Sequence, residues 1–356
     1  MELNREVSQR MNMLRFLMIV GVVILHTPPQ LPLGSIPITL FDHIKAFFQG
    51  ALFRTTVPIL TFISAYLIFS SGLDRKPLKL YEKKFYSLVV PFIVFNLGLL
   101  GATYICQRYL NIHILLDLTQ ADAKKWINAA FGLTYYPINY PLHFLRNLVV
   151  LVLFAPLLGM LLRRAPYIGL VLIFCIAHFN LEGNLLLRNN MLLLFYMGGM
   201  AALLPVNMLA LDKYRVPALI IFCVLCIGVV IFQVKNINYF VYASPFLIWP
   251  AASLLSKTQF GAWSRRMSPY SFFIFLAHAP VLAAAVFVYR PFASIVPYPV
   301  FWVVAPIVIV SLLVLIWKLL NVTLGPVFAM ATGCYKKKRT ARSADSALIE
   351  TGPAVN

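Results

Sequence analysis

The chain has 356 residues, 61% of them hydrophobic and only 12% charged, where soluble domains carry about 25% charged residues. That composition excludes a soluble globular domain and reads as an integral membrane protein. The formal net charge of +19 does not point to nucleic acid, because the basic residues punctuate apolar runs, where they meet anionic lipid headgroups, and do not gather on one soluble face.

The runs are near twenty residues long and lack the alternation of barrel strands. The expected fold class is therefore all-α, a polytopic integral membrane bundle of about ten transmembrane helices. Hydropathy puts them at 13–31, 52–71, 86–106, 144–162, 166–180, 189–205, 216–234, 239–256, 269–289 and 299–322. Lysines and arginines between these spans number nineteen on one side and nine on the other, which predicts both termini in the cytoplasm. One transmembrane domain, 1–330, is expected, followed by a basic, disordered cytoplasmic tail, 331–356.

The first span holds the main functional clue, LRFLMIVGVVILH from Leu14 to His26. Eleven helical positions turn through about 1100°, close to three full turns, so Arg15 and His26 share one face roughly 16 Å apart. No small-residue cleavage site follows the apolar core, so this is expected to be a retained helix and not a signal peptide. Pro28 and Pro29 lack the N–H groups that would bond the carbonyls of Ile24 and Leu25, and the helix is expected to end just past His26. Non-helical backbone at membrane depth is tolerated only inside protein or beside a watery cavity, so His26 is expected to face a cavity. There an imidazole can accept a proton, as a general base must. A histidine hydrogen-bonded across helices is the competing reading, and for Arg15 it is a plain topology signal.

The following segment, SIPITLFDHIKAFFQGALFR, is too polar for a crossing and too apolar for a free loop. It is expected to lie along or dip into the outer interface with Asp42, His43, Lys45 and Arg54 facing water. Ser64 and Ala65 in the second span permit close helix approach. GLDRKPLKLYEKKF is the most basic loop, and its Lys76, Lys79, Lys83 and Lys84 beside Arg15 make a cluster suited to phosphates. Pro91 is expected to bend the third helix near its start. Within 107–143, ILLDLTQADAKKWINAAFGL predicts a helix lying on the surface, and TYYPINYP offers aromatic rings that stack on sugars or anchor the interface. Later polar exceptions are Glu182 and Arg188 in an external turn and His278 inside the ninth span. The five cysteines form no even framework, and Cys223 and Cys226 lie within an apolar helix, so no metal site and no permanently bound cofactor is expected.

Four motifs together resemble the membrane-bound acyltransferase-3 family. They are Arg15 and His26 with ten residues between; VPILTFISAYLIFSSG with YEKKFYSLVVPFIV; PLHFLRNLVVLVLFAPLL; and SFFIFLAHAPVL, similar to the family's SFFIYLIHPLVL. The chain departs from the family pattern at Ala65 (usually glycine), Lys83 and Lys84 (commonly arginines), Ser87 (often basic), and His143 and Asn147 (usually Trp and Asp). The resemblance implies an inner (plasma) membrane, multi-pass O-acyltransferase. It would move an acyl group, most simply acetyl, from cytoplasmic acyl-CoA to a hydroxyl of an exopolysaccharide or lipid-linked glycan. Arg15, Lys83 and Lys84 would bind the donor, and His26 would act as general base or transient acyl carrier. Arg146, His143, His278, Asp42 and His43 would serve acceptor binding. Other polysaccharide-biosynthesis proteins are expected partners. A secondary transporter or flippase for a glycan or lipid, and a non-catalytic scaffold, are the alternatives. Scarce membrane-embedded acids and the lack of repeat symmetry speak against transport.

Overall fold

The structure, a computed structural model, describes residues 4–30, 32–34, 36, 39–112 and 116–334. The expected tail starts at the end of the last helix, and its basic run from Lys336 onward lies outside the described residues. No strand occurs among them.

Helix α1 (Arg5–His26) starts at Asn4, whose side chain accepts from the Glu6 N–H (2.9 Å) and satisfies one of the first-turn donors. Helix α2 (Leu40–Ala46) is capped by Thr39 and passes through a π turn at 47–51 and a tight turn at 52–55 into α3 (Thr56–Ser70). The expected interfacial segment is continuous with the second span: Leu40–Ser70 is one helical element, apolar enough by composition to cross a membrane and in large part buried inside the protein. Lys45, expected in water, is 1% exposed, its ammonium 4.8 Å from the centre of the Tyr298 ring. The ring's negative face substitutes for part of the lost hydration.

The expected basic loop is helical from Pro77 on. Helix α4 (Pro77–Lys84) runs through a second π turn, 85–89, into α5 (Val90–Leu110). That turn sits just before Pro91, whose missing N–H leaves the Ser87 carbonyl without its helical partner. The expected surface helix is α6 (Ala123–Phe131), capped by Asp122 and ended by Gly132 in the left-handed conformation (φ +64°). There follow α7 (His143–Arg164), α8 (Pro166–His178), α9 (Asn190–Leu203), α10 (Arg215–Ile231), α11 (Asn238–Ala251), α12 (Ser253–Ser256), α13 (Gln259–Met267), α14 (Ser271–Tyr289), α15 (Tyr298–Thr323) and α16 (Gly325–Ala331).

Eight helical elements among the described residues are long and apolar enough to cross a membrane, which makes this a polytopic helical membrane protein. Helices α8 and α9, both expected as spans, have only 13 and 14 residues, short of the roughly 20 that a full crossing needs. Small residues let the inner helices touch. A side chain on Gly198 of α9 would strike the Phe62 carbonyl of α3 and lie 3.0 Å from the Ala65 Cβ.

Two basic residues counted as sidedness signals are spent in ion pairs. Arg10, 1% exposed, grips both carboxylate oxygens of Asp212 at 2.6 Å and lies over the Trp249 ring. Arg163 pairs with the buried Asp74. Asp212→Ala leaves the Arg10 charge buried alone and is expected to cost about 3 kcal/mol of stability. Arg5→Ala on the exposed start of α1 should change stability by less than about 0.5 kcal/mol; unfolding of the two purified variants in detergent is the check.

Candidate active site: a histidine pair where the first helix ends

Helix α1 stops at His26, as the prolines dictate, and Pro28-Pro29 is a cis peptide. Side-chain amides bond the carbonyls at this broken end, where Ile24 O also accepts from the Thr27 N–H (3.1 Å). Gln49 Nε2 donates to Ile24 O (2.7 Å) and Thr27 O (2.8 Å), and Gln30 Nε2 donates to Leu25 O (3.2 Å). Tyr298 donates its hydroxyl to Pro28 O (2.7 Å). The same device recurs on α14. Pro280 deprives Leu276 O of its helical donor, and Asn139 Nδ2 supplies one at 3.0 Å. Asn139 is itself held through its N–H to Asn96 Oδ1 (3.0 Å). Each proline-modified helix end is thus pinned by a buried amide from another segment, which avoids the cost of an unpaired buried carbonyl.

These two pinned segments bring His26 and His278 together. His26 Nδ1 and His278 Nε2 are 3.0 Å apart with ring planes within 11°. His278 is fully buried, and its Nδ1 faces Phe275 O at 2.8 Å and Ile274 O at 3.2 Å. A carbonyl only accepts, so His278 Nδ1 carries the hydrogen and donates it. In the neutral ring Nε2 is then the acceptor, and His26 Nδ1–H donates to it. His26 is left with an Nε2 lone pair, and its ring lines a cavity of about 450 Å³ with Gln30, Tyr140, Ile138, Val286 and Arg290. The Tyr140 ring meets His26 edge-on at 4.9 Å.

The other predicted residues divide into those drawn near this pair and those kept away. Arg15 lies eleven residues back, in the middle of α1, and does not line the His26 cavity; its guanidinium reaches Asn12 Oδ1 (3.4 Å). Lys84 is in electrostatic reach of both Lys83 and Arg15, so the donor-side cations do converge, beside the middle of α1. His143 is in electrostatic reach of His26. Its Nδ1 donates to Tyr140 O (2.7 Å), its ring lies on Tyr136, and its buried Nε2 has no partner. Arg146 is occupied with backbone, donating to Leu133 O, Asn184 O and Leu185 O. Asp42 and His43 both bond Thr39 in the first turn of α2 and lie outside the His26 cavity lining. Glu182, in the turn after α8, has carboxylate oxygens enclosed without a partner, and burial pushes its carboxyl up. Gln49, Asn139 and Tyr140 were not singled out from the sequence. The signal for the two amides was a polar side chain in an apolar run, with nothing to say which proline it served.

A family model described as an acyltransferase domain matches residues 8–320, from α1 nearly to the end of α15. The chain belongs to the acyltransferase-3 family. This acyltransferase is 30% identical, over 348 residues, to the succinoglycan biosynthesis protein ExoH of Rhizobium meliloti (strain 1021), with 93% of each chain covered. No solved structure matches it. Membership makes it a multi-pass membrane enzyme transferring groups other than aminoacyl groups, and sets the transporter and scaffold alternatives aside.

Gln49→Leu leaves the Thr27 carbonyl without its side-chain donor and Ile24 O with only the Thr27 N–H (3.1 Å). It is expected to cost about 1–3 kcal/mol and to lower acyl transfer more than the Arg5→Ala control at the other end of α1, measured on equal amounts of folded protein.

Proposed function

We propose that this acyltransferase O-acylates an exopolysaccharide or other cell-surface glycan, drawing acyl groups, most simply acetyl, from acyl-CoA. The observation that carries this reading is the tautomer chain Phe275 O, His278, His26, which leaves a basic Nε2 on a cavity at one end of α1. Arg15, Lys83 and Lys84 gather about three turns away along α1. The kinship with a succinoglycan biosynthesis protein supports a glycan acceptor.

In this mechanism both termini are cytoplasmic and the bundle sits in the inner membrane. The Arg15 end binds the CoA phosphates by charge-assisted hydrogen bonds. The extended pantetheine arm then runs along α1 toward His26, a separation of roughly 16 Å. A glycan hydroxyl enters the His26 cavity from the far side. His26 Nε2 takes the hydroxyl proton as the oxygen attacks the thioester carbonyl; the C–S bond breaks, and the thiolate leaves with that proton. His278 is a positioning residue. Its Nε2 accepts from His26 Nδ1–H, fixes the reactive tautomer and stabilises the imidazolium that forms, much as a carboxylate does in a catalytic triad. Because His26 remains uncharged between turnovers, no acid is needed beside it.

His26→Ala is expected to abolish acylation of surface glycan, read by mass spectrometry of the polysaccharide from cells holding normal amounts of the variant. His278→Phe removes the acceptor for His26 Nδ1–H while keeping an aromatic ring, and should lower kcat by about 10²- to 10⁴-fold with little change in donor KM. Arg15→Gln should do the reverse and raise donor KM at least about tenfold through the lost phosphate contact. Equal acylation by wild type and His26→Ala would overturn the reading.

A further inference from the structure

We propose that Arg54, Arg188 and Lys235 form a carboxylate-binding subsite beside His26, which selects a reactant bearing a free carboxylate. The three come from separate stretches: the turn between α2 and α3, the α8–α9 connection and the α10–α11 connection. They line one cavity of about 320 Å³ together with Asn190 and Asn238, and no Asp or Glu is among its lining residues.

Elsewhere in the described residues the buried Arg10 is matched by Asp212, and the part-exposed Arg163 by the buried Asp74. Here the side chains are held in place without one. Arg54 Nε donates to Gln49 O (3.2 Å), the same residue whose side chain closes α1. The Lys235 stem lies across Gly34, whose φ of +105° and missing side chain make the room; a Cβ there would come within 2.6 Å of Lys235 Cε. Two polar atoms at the cavity are enclosed and unpartnered, Arg188 Nε and Oδ1 of Asn190, the latter residue only 8% exposed. Three like charges converging on one recess repel one another, and an anion between them converts that repulsion into attraction. Guanidinium forks match the two oxygens of a carboxylate.

His26 is within electrostatic reach of both Arg54 and Arg188, so a carboxylate bound there belongs to a molecule whose other end is at the reacting atoms. Two sources have this chemistry, the distal carboxylate of a dicarboxylic acyl group on the donor and an acid substituent on the acceptor sugar. The inference rests on the assignment of His26 as the reaction centre, but its test reads binding and does not require turnover.

Wild-type protein, Lys235→Gln and Arg188→Gln/Lys235→Gln in lipid nanodiscs would be titrated with two matched pairs. These are succinyl-CoA against acetyl-CoA, and a glucuronate-containing oligosaccharide against its carboxyl-reduced counterpart. Wild type should bind the carboxylate member of one pair at least about tenfold tighter, and the pair that shows it names the source. That preference should shrink in Lys235→Gln, a change at an exposed residue that the fold tolerates, and vanish in the double variant. An Arg290→Gln control, altering the His26 cavity instead, should keep it. Equal affinities within both pairs for wild type, or a preference undiminished in Lys235→Gln, would overturn the proposal. His26→Ala separates the two claims: discrimination retained without transfer supports both, and discrimination retained with undiminished transfer sinks the catalytic reading alone.

Discussion

Gln49 donates to the end of α1 twice, and the candidate site depends on those two hydrogen bonds. Two consecutive prolines stop a membrane helix and leave carbonyls facing a medium with no water to bond them, each a cost of several kcal/mol. Gln49 takes two carbonyls of that broken end, Ile24 O and Thr27 O. It comes from a segment that is itself irregular, a π turn between α2 and α3. A π turn inserts an extra residue and rotates the next side chains, which is how a glutamine in an apolar run comes to point at another helix's end. The backbone just past His26 is thereby hydrogen-bonded without being helical.

Asn139 performs the same service for the carbonyl opposite Pro280. The two histidines therefore sit on segments whose backbone irregularities are each satisfied by one buried amide. This explains how two imidazoles meet with neither charged. Each ring's tautomer follows from a donor or acceptor of fixed sense, beginning at the Phe275 carbonyl, which can only accept. A carboxylate in the place of His278 would bring a buried negative charge into a bundle with few means to pay for its desolvation. A backbone-anchored histidine does the orienting work without that charge.

The charged residues follow a matching logic. The buried charges Arg10 and Asp74 are each neutralised by an opposite charge, Asp212 and Arg163, with hydrogen bonds that offset their desolvation. Lys45 is buried against an aromatic face. Arg54, Arg188 and Lys235 share a recess lined by neutral and basic residues only. The difference separates charges paired within the fold from charges that line an open recess.

The sequence by itself determined the membrane class, the helical architecture, the end of α1 at His26 and the shared face of Arg15 and His26. These follow from composition, from the 3.6-residue period and from the missing N–H of proline, all properties of a short stretch of chain. The family likeness was legible for the same reason, since its motifs are local. Only the tertiary structure decided the rest. His278 lies 252 residues from His26, and no periodicity relates positions on different helices. Lys45 reads as a water-facing charge until Tyr298 is seen against it, and the predicted crossings at 166–180 and 189–205 prove to be short helices packed on their neighbours. Arg54, Arg188 and Lys235 look like ordinary loop cations one by one. Their meaning depends on three connections converging at one end of the bundle, and that convergence is set by packing rather than by any local signal.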